Sequence, residues 1–186
     1  MAVDIEELRR IGRQLLHAIG EDPDREGLAD TPDRFARWWR EFIDHDPGTI
    51  ERIFSVGNAD EVVAVSGIEV WSLCEHHLLP FRARVAIGYI PADGVLGLSK
   101  FARIAHEAAH RLQVQERLVQ QIADRIEEVT GSKDVAVVAD GSHLCMVMRG
   151  VRTPGSMRTS VMRGAFRLDP AARAEFFSLV DRHVEG

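Results

Sequence analysis

The chain has only two cysteines, Cys74 and Cys145, among 186 residues. Two are too few for a disulfide framework, and a chain of this length can bury a core without such staples. Also missing is any apolar run near the roughly 20 residues that a membrane-spanning helix needs. The opening stretch MAVDIEELRR has acids where a secretory leader would place bases ahead of an apolar segment. Together these absences predict a cytoplasmic protein whose thiols stay reduced. Positive charge is not in excess either: the formal net charge is −6, which argues against nonspecific attraction to nucleic acid. A polyanionic small molecule would need a local basic pocket rather than a global field.

What is present reads as helices flanking strands. Ile5, Leu8, Ile11, Leu15 and Ile19 recur near helical spacing. After a turn-rich stretch, Asp30 or Thr31 can cap a second helix with Pro32 in its first turn. Its aromatic residues Phe35, Trp38, Trp39 and Phe42 suggest packing against a sheet. Residues 44–61 read as loop with a short helical piece. VVAVSGIEVWSL and RARVAIGYI are rich in β-branched residues and read as strands, with PADG as a turn after the second. SKFARIAHEAAHRL and QERLVQQIADRIEEVTG read as two helices, or as one broken near LQVQ, with Gly131 as the final C-cap. DVAVVAD and HLCMVMRGV read as a β-hairpin turning at DGS. RTSVMRGAF is one more strand, and Asp169 caps a last helix. Adjacent hairpins favour an antiparallel α+β architecture over a doubly wound parallel sheet. The division expected is an N-terminal helical segment over 1–55 and a catalytic domain over 56–186.

The cysteines carry the first functional signal. Cys74 and His77 form a C-x-x-H pair in WSLCEHHLLPF, and His143 precedes Cys145 by two in SHLCMVMRG. Two residues apart on a strand, His143 and Cys145 would face the same side. Thiolate and imidazole are ligands that Zn²⁺ favours, and a catalytic site uses three of them. Two cysteines plus one histidine would leave a position for water, whose pKa zinc lowers towards ~7. Spare histidines would handle protons. Spacing alone leaves His76 and His77 as alternative ligands. The bland reading, two buried apolar cysteines, also accounts for the composition.

A second signal is cationic. In GLSKFAR, Ser99 can cap a helix whose first turn carries Lys100 and Arg103, an arrangement that binds anions. Arg149 could add a guanidinium fork for phosphate. In LQVQERL, Gln115 and Glu116 lie at a helix start, and a carboxylate there could accept two hydrogen bonds from a guanine edge. Each of these is also an ordinary solvated surface residue when taken alone.

Taken together, SLCEHHLLPF, GYIP, LGLSKFARI, RLQVQERL, QIAD and SHLCMVMRGV, with EDPDREGLADTP before them, resemble the GTP cyclohydrolase I family. The resemblance runs from about Leu15 to Phe166. It implies hydrolytic opening of the GTP imidazole ring, release of C8 as formate and reclosure to 7,8-dihydroneopterin triphosphate. It implies Zn²⁺ on Cys74, His77 and Cys145, with His76 and His143 as the acid–base pair. Gln115 and Glu116 fall where the family holds guanine; Ser99, Lys100, Arg103 and Arg149 fall where it holds ribose and triphosphate. The implied fold is the tunnelling fold (T-fold), antiparallel sheet with helices packed on one side. The implied assembly is a toroidal homodecamer with active sites between subunits. Ala83, Ala86, Met157 and Arg158 depart from the family's usual residues. Two other readings stay open: a paralogue acting on GTP in a specialised pterin or deazapurine pathway, and a zinc- or nucleotide-binding module without turnover.

Overall fold

The computed structural model describes residues 2–50, 53–54, 61–92 and 94–181. The chain divides into two compact units, residues 1–46 and 47–186.

The first unit is a helical hairpin. Helix α1, Ile5–Ala18, is capped by Asp4, whose carboxylate accepts from the Glu7 amide at 3.0 Å. Helix α2, Thr31–Ile43, has Pro32 in its first turn as expected, while Asp30 makes no side-chain cap. Close approach of the two helices depends on Gly12, where a Cβ would come 3.1 Å from Phe35 Cδ1. Arg9 pairs with Asp33 across the hairpin at 2.8 Å. The buried residues of α1 are Gly12 and Leu16, whereas Ile11, Leu15 and Ile19 are exposed. The α2 aromatics contact one another along their own helix: Trp38 meets Trp39 edge-on at 4.8 Å and stacks on Phe42 at 6.1 Å.

The second unit is built on a sheet. Its strands are β1 (Ile53–Phe54), β2 (Val63–Cys74), β3 (Pro80–Tyr89), β4 (Val95–Leu96), β5 (Leu112–Gln113), β6 (Val135–His143) and β7 (Met157–Met162). Its helices are α3 (Leu98–Ala109), α4 (Gln115–Thr130), α5 (Leu144–Val147), α6 (Ala165–Leu168) and α7 (Pro170–Val180). The main sheet has the order β5-β2-β3-β6-β7, and β1 pairs with β4 separately. Residues 51–52 and 55–60, part of the stretch expected to be loop with a short helical piece, lie outside the described residues, as does Asp93 of the PADG turn. Ile53–Phe54 is strand rather than helix.

The α+β class holds, with two differences from the expected arrangement. First, the sheet is mixed. β2, β3, β6 and β7 are antiparallel, but β5 runs parallel to β2 through Leu73–Leu112 and Cys74–Gln113. The LQVQ break between α3 and α4 is what supplies this strand. Second, helices lie on both faces. Alternate residues of a strand point to opposite sides. Val135, Val137 and Ala139 join the core beneath α3 and α4, with Phe101, Ile104, Leu118, Ile122 and Ile126. Ala136 and Val138 instead meet Phe166 and Phe176 from α6 and α7.

The seat for α7 is a row of small side chains. Ala64, Gly88 and Ala136 are directly paired across β2, β3 and β6. A Cβ on Gly88 would fall 2.5 Å from Phe176 Cδ2, so this glycine serves close approach rather than a turn. The C-terminal helix starts where expected, with Asp169 accepting from the Ala171 amide at 2.8 Å. Gly131 caps α4 in the left-handed region at φ 71°.

The expected hairpin at DGS is not formed. β6 continues through Gly141, Ser142 and His143, which pair with Ala83, Arg82 and Phe81. Cys145 therefore lies on the short helix α5 and not on a strand with His143. The cause is again close approach: a Cβ on Gly141 would sit 2.0 Å from Gln115 Oε1.

Gly88→Ala is expected to cost about 1–3 kcal/mol through overpacking against Phe176. A lowered denaturant midpoint with an unchanged slope checks this; an unchanged midpoint would refute the packing assignment.

Candidate metal centre and active site

The CEHH stretch forms the turn between β2 and β3. The Cys74 carbonyl accepts from the His77 amide at 3.2 Å and the Leu78 amide at 2.8 Å, and the Cys74 amide donates to the Leu79 carbonyl at 2.9 Å. Leu78 pays for this tight turn with a positive φ of 55°. The flank is tied down as well. The Glu75 amide donates to the Gln113 carbonyl at 3.0 Å. Its carboxylate accepts two hydrogen bonds from Arg117, at 2.6 and 3.0 Å, in a fork that holds the Glu75 carboxyl below the usual range.

Sheet order then brings the other cysteine over. β3 lies between β2 and β6, so the end of β2 and the end of β6 are two strand spacings apart, roughly 9–10 Å. From there α5 turns Cys145 back. The ligand atoms of Cys74, His77 and Cys145 all lie within 4.8 Å of one another. The sulfur of Cys74 is 3.7 Å from Nδ1 of His77. A tetrahedral zinc ion with sulfur at ~2.3 Å and nitrogen at ~2.0–2.1 Å sets that edge at roughly 3.6 Å. His76 is exposed, with its Nδ1 at 3.9 Å from the same sulfur.

The donor set fits such an ion chemically. Burial pushes the Cys145 thiol up, and the neighbouring Cys74 sulfur pushes it further. Two adjacent thiols resist ionising together unless a cation lies between them. Nη1 of Arg149 lies 2.6 Å from His77 Nε2. A guanidinium only donates, so Nε2 accepts, and the hydrogen of the neutral ring sits on Nδ1.

His143 is fixed by two contacts. Its ring stacks on Phe81, its cross-strand partner, at 4.5 Å and 8°. Its Nε2 lies 2.8 Å from Gln115 Oε1. Gln115 is buried, and its amide nitrogen is 3.1 Å from the Ala139 carbonyl, 2.7 Å from the Met157 carbonyl and 3.1 Å from Thr159 Oγ1. Two of these partners only accept, so the NH₂ end must point at them. The amide oxygen is thereby turned to His143, and Nε2 of His143 must carry a hydrogen. In the neutral ring the lone pair is then on Nδ1. Burial pushes the His143 pKa below its ordinary value, while the nearby Glu116 carboxylate opposes this. Glu116 itself is exposed in the first turn of α4.

The cations of α3 do not join this group within one chain. The helix starts from Gly97, not from a Ser99 cap, and Ser99 is exposed. Lys100 and Arg103 both donate to the carbonyl of Thr49. The far end of α3 is the one near the thiols: the Ala109 carbonyl accepts from Ser72, two residues before Cys74, at 2.6 Å. Ser99 is ten residues back from Ala109, about 15 Å along a helix.

A family model for GTP cyclohydrolase I matches residues 8–181. The chain belongs to the GTP cyclohydrolase I family. GTP cyclohydrolase 1 of Rhodopirellula baltica is 47% identical over 185 residues, covering 97% of this chain and 80% of its own. That of Deinococcus radiodurans is 48% identical over 184 residues, covering 96% and 85%. That of Corynebacterium glutamicum strain R is 51% identical over 178 residues, covering 92% and 90%.

Two contributors escaped the reading of the sequence. Phe81 is one residue in an apolar run, and only strand register shows that it faces His143. The Glu75–Arg117 fork joins residues 42 apart. Gln115 was legible as a polar residue at a helix start, but its orientation depends on backbone carbonyls from β6 and β7.

Gly141→Ala is expected to displace the Gln115 oxygen, since the new methyl would also lie 3.3 Å from His143 Nε2. Ring-nitrogen NMR of His143 should then lose the Nε2–H signal, while metal content stays unchanged. A retained signal would show that Gln115 does not set the tautomer.

Proposed function

We propose that the chain is a zinc-dependent hydrolase that opens the imidazole ring of GTP, releases formate and forms 7,8-dihydroneopterin triphosphate, the first step of pterin and tetrahydrofolate synthesis. The observation that carries this reading is the meeting of Cys74, His77 and Cys145 beside an oriented His143, in a chain whose family match spans residues 8–181. Cys74, His77 and Cys145 would hold the ion. Zn²⁺, when bound, supplies a water acidic enough to lose a proton near neutral pH.

The remaining roles fall to side chains. His143 keeps one hydrogen on Nε2, towards Gln115, and exchanges protons with the purine through Nδ1. Stacking on Phe81 holds the ring plane while it does so. His76, exposed on the same turn, assists at the ribose. Glu116 accepts from the guanine edge, with Gln115 bounding that end of the site while it orients His143. Ser99, Lys100, Arg103 and Arg149 bind the ribose and triphosphate. Were His77 to hold the ion through Nδ1, its hydrogen would sit on Nε2 opposite the Arg149 N–H, which would leave Arg149 available to an anion.

The same reading carries its assembly and setting. We assign the T-fold to the second unit, residues 47–186, with the helical hairpin of residues 1–46 as an N-terminal segment, and a homodecameric ring with sites between subunits. The separation of the α3 cations from the thiols supports sites shared between copies. The compartment proposed is the cytoplasm; among the described residues no helix is long and apolar enough to cross a membrane.

Incubation with GTP should give formate and, after oxidation, a fluorescent pterin. Formate with a different product would replace this reading with the specialised-pathway paralogue, and binding without formate with the non-catalytic module. Cys145→Ala should lose zinc and formate release together. His143→Ala should keep its zinc and lose turnover by roughly 10²–10⁴-fold, the range for a proton-transfer group. Metal loss in His143→Ala would overturn the ligand assignment.

A further inference from the structure

Helix α3 ends in the sequence His106-Glu107-Ala108-Ala109-His110, outside every role assigned above. Positions four apart lie on one face of a helix. The two imidazole centroids are 5.7 Å apart with planes inclined by 43°. Both rings are half-buried, and their donor nitrogens lie within 4.8 Å of each other. Two imidazoles on one tetrahedral ion, with nitrogens at ~2.0–2.1 Å, place their centroids roughly 5 Å apart. A small rotation of either ring closes the difference.

The tautomer of His110 is set for this. It is the C-cap of α3, and its Nδ1 lies 2.8 Å from the His106 carbonyl oxygen. A carbonyl only accepts, so Nδ1 carries the hydrogen and the neutral ring has its lone pair on Nε2. Metal-binding histidines are held in this way, with the second N–H given to a carbonyl or carboxylate that fixes the tautomer and raises basicity.

We propose that His106 and His110 form a second metal site, a two-imidazole chelate for a divalent transition ion of the Ni²⁺, Cu²⁺ or Zn²⁺ type, completed by water. Imidazole suits these ions and not Mg²⁺ or Ca²⁺. The same His-Glu-x-x-His spacing places a general base beside zinc in metalloproteases. Here the Glu107 carboxylate faces Arg125, at 3.5 Å, and the role assigned to the site is ion binding alone. Its place gives it a structural effect. The last turn of α3 leads by two residues into β5, which pairs with the Cys74 end of β2. An ion bridging positions 106 and 110 stabilises the native end of that helix by mass action.

The test is calorimetric titration of the metal-loaded protein with Ni²⁺, with zinc release followed in parallel. The wild type should take up one Ni²⁺ per chain beyond the metal it holds, without releasing zinc. His106→Gln and His110→Gln should each weaken that uptake at least tenfold, and Glu107→Gln should bind as the wild type does. Independently of any variant, Ni²⁺ should broaden the ring signals of His106 and His110 in the wild-type NMR spectrum. No uptake beyond exchange for zinc, uptake unchanged in His110→Gln, or broadening confined to other histidines would each overturn the proposal. The thiol-site variant Cys145→Ala should still bind the second ion, which keeps this test separate from the assignment of the first site.

Discussion

Pro80 opposite Leu73 and Phe81 opposite His143 fix where three strand ends meet, and the rest of the site is hung from those two pairs. A strand alternates its faces, so a slip of one residue in β3 would turn His143 away from Phe81 and carry the CEHH turn off the mouth of β6. The register is strongly specified because both faces of β3 are covered at its far end. Val85, Ile87 and Tyr89 enter the larger core, while Ala86 and Gly88 meet the C-terminal helices. Packing far from the chemistry thus sets the chemistry's geometry. Gly67, at φ 76° in the interrupted pairing between Val65 and Ile68, absorbs the irregularity in β2 before the strand reaches Cys74.

Gln115 performs the same service for hydrogen bonding. A buried amide left unsatisfied costs about 1–3 kcal/mol, and this one satisfies carbonyls of β6 and β7 as well as a hydroxyl and an imidazole. Its orientation is over-determined, so the hydrogen on His143 Nε2 is too. The side chain that orients His143 sits at the first residue of α4, one position before Glu116. The His143 ring and the Glu116 carboxylate are therefore referred to the same helix end.

Much of this was legible in the residues. The pairing of each cysteine with a histidine pointed to one ion, and the resemblance of the flanking stretches implied His77 rather than His76; the ligand atoms of Cys74, His77 and Cys145 lie within 4.8 Å of one another. Helices α3 and α4 were legible from apolar spacing, and the caps at Gly131 and Asp169 from local chemistry, whereas the short helices α5 and α6 lie in stretches expected to be strand. Glycine misled the reading at DGS, where the expected turn is straight strand. Gly141 is there because Gln115 presses on it from 26 residues away in sequence, and no local signal records that. Similarly, Leu112–Gln113 is too short to read as a strand and exists only because β2 is beside it. The small residues Ala64, Gly88 and Ala136 do not announce that a helix lies across them; the match becomes visible only when register puts them in a row.

The division of the cations from the thiols is set by helix α3. Ser72 ties the C-terminal end of α3 to the strand that carries Cys74. Ser99, Lys100 and Arg103 belong to the opposite end of that helix, and Lys100 and Arg103 are already occupied with the Thr49 carbonyl. Rigid helix geometry therefore prevents these groups from closing on the same chain's ion centre by a side-chain movement alone. Arg149, by contrast, is close enough to touch His77. Within one copy Arg149 lies beside His77, whereas the cationic start of α3 is about 15 Å along that helix from its Ala109 end. What holds the two apart is the length of α3 itself, anchored at one end by Ser72 and at the other by the Thr49 carbonyl.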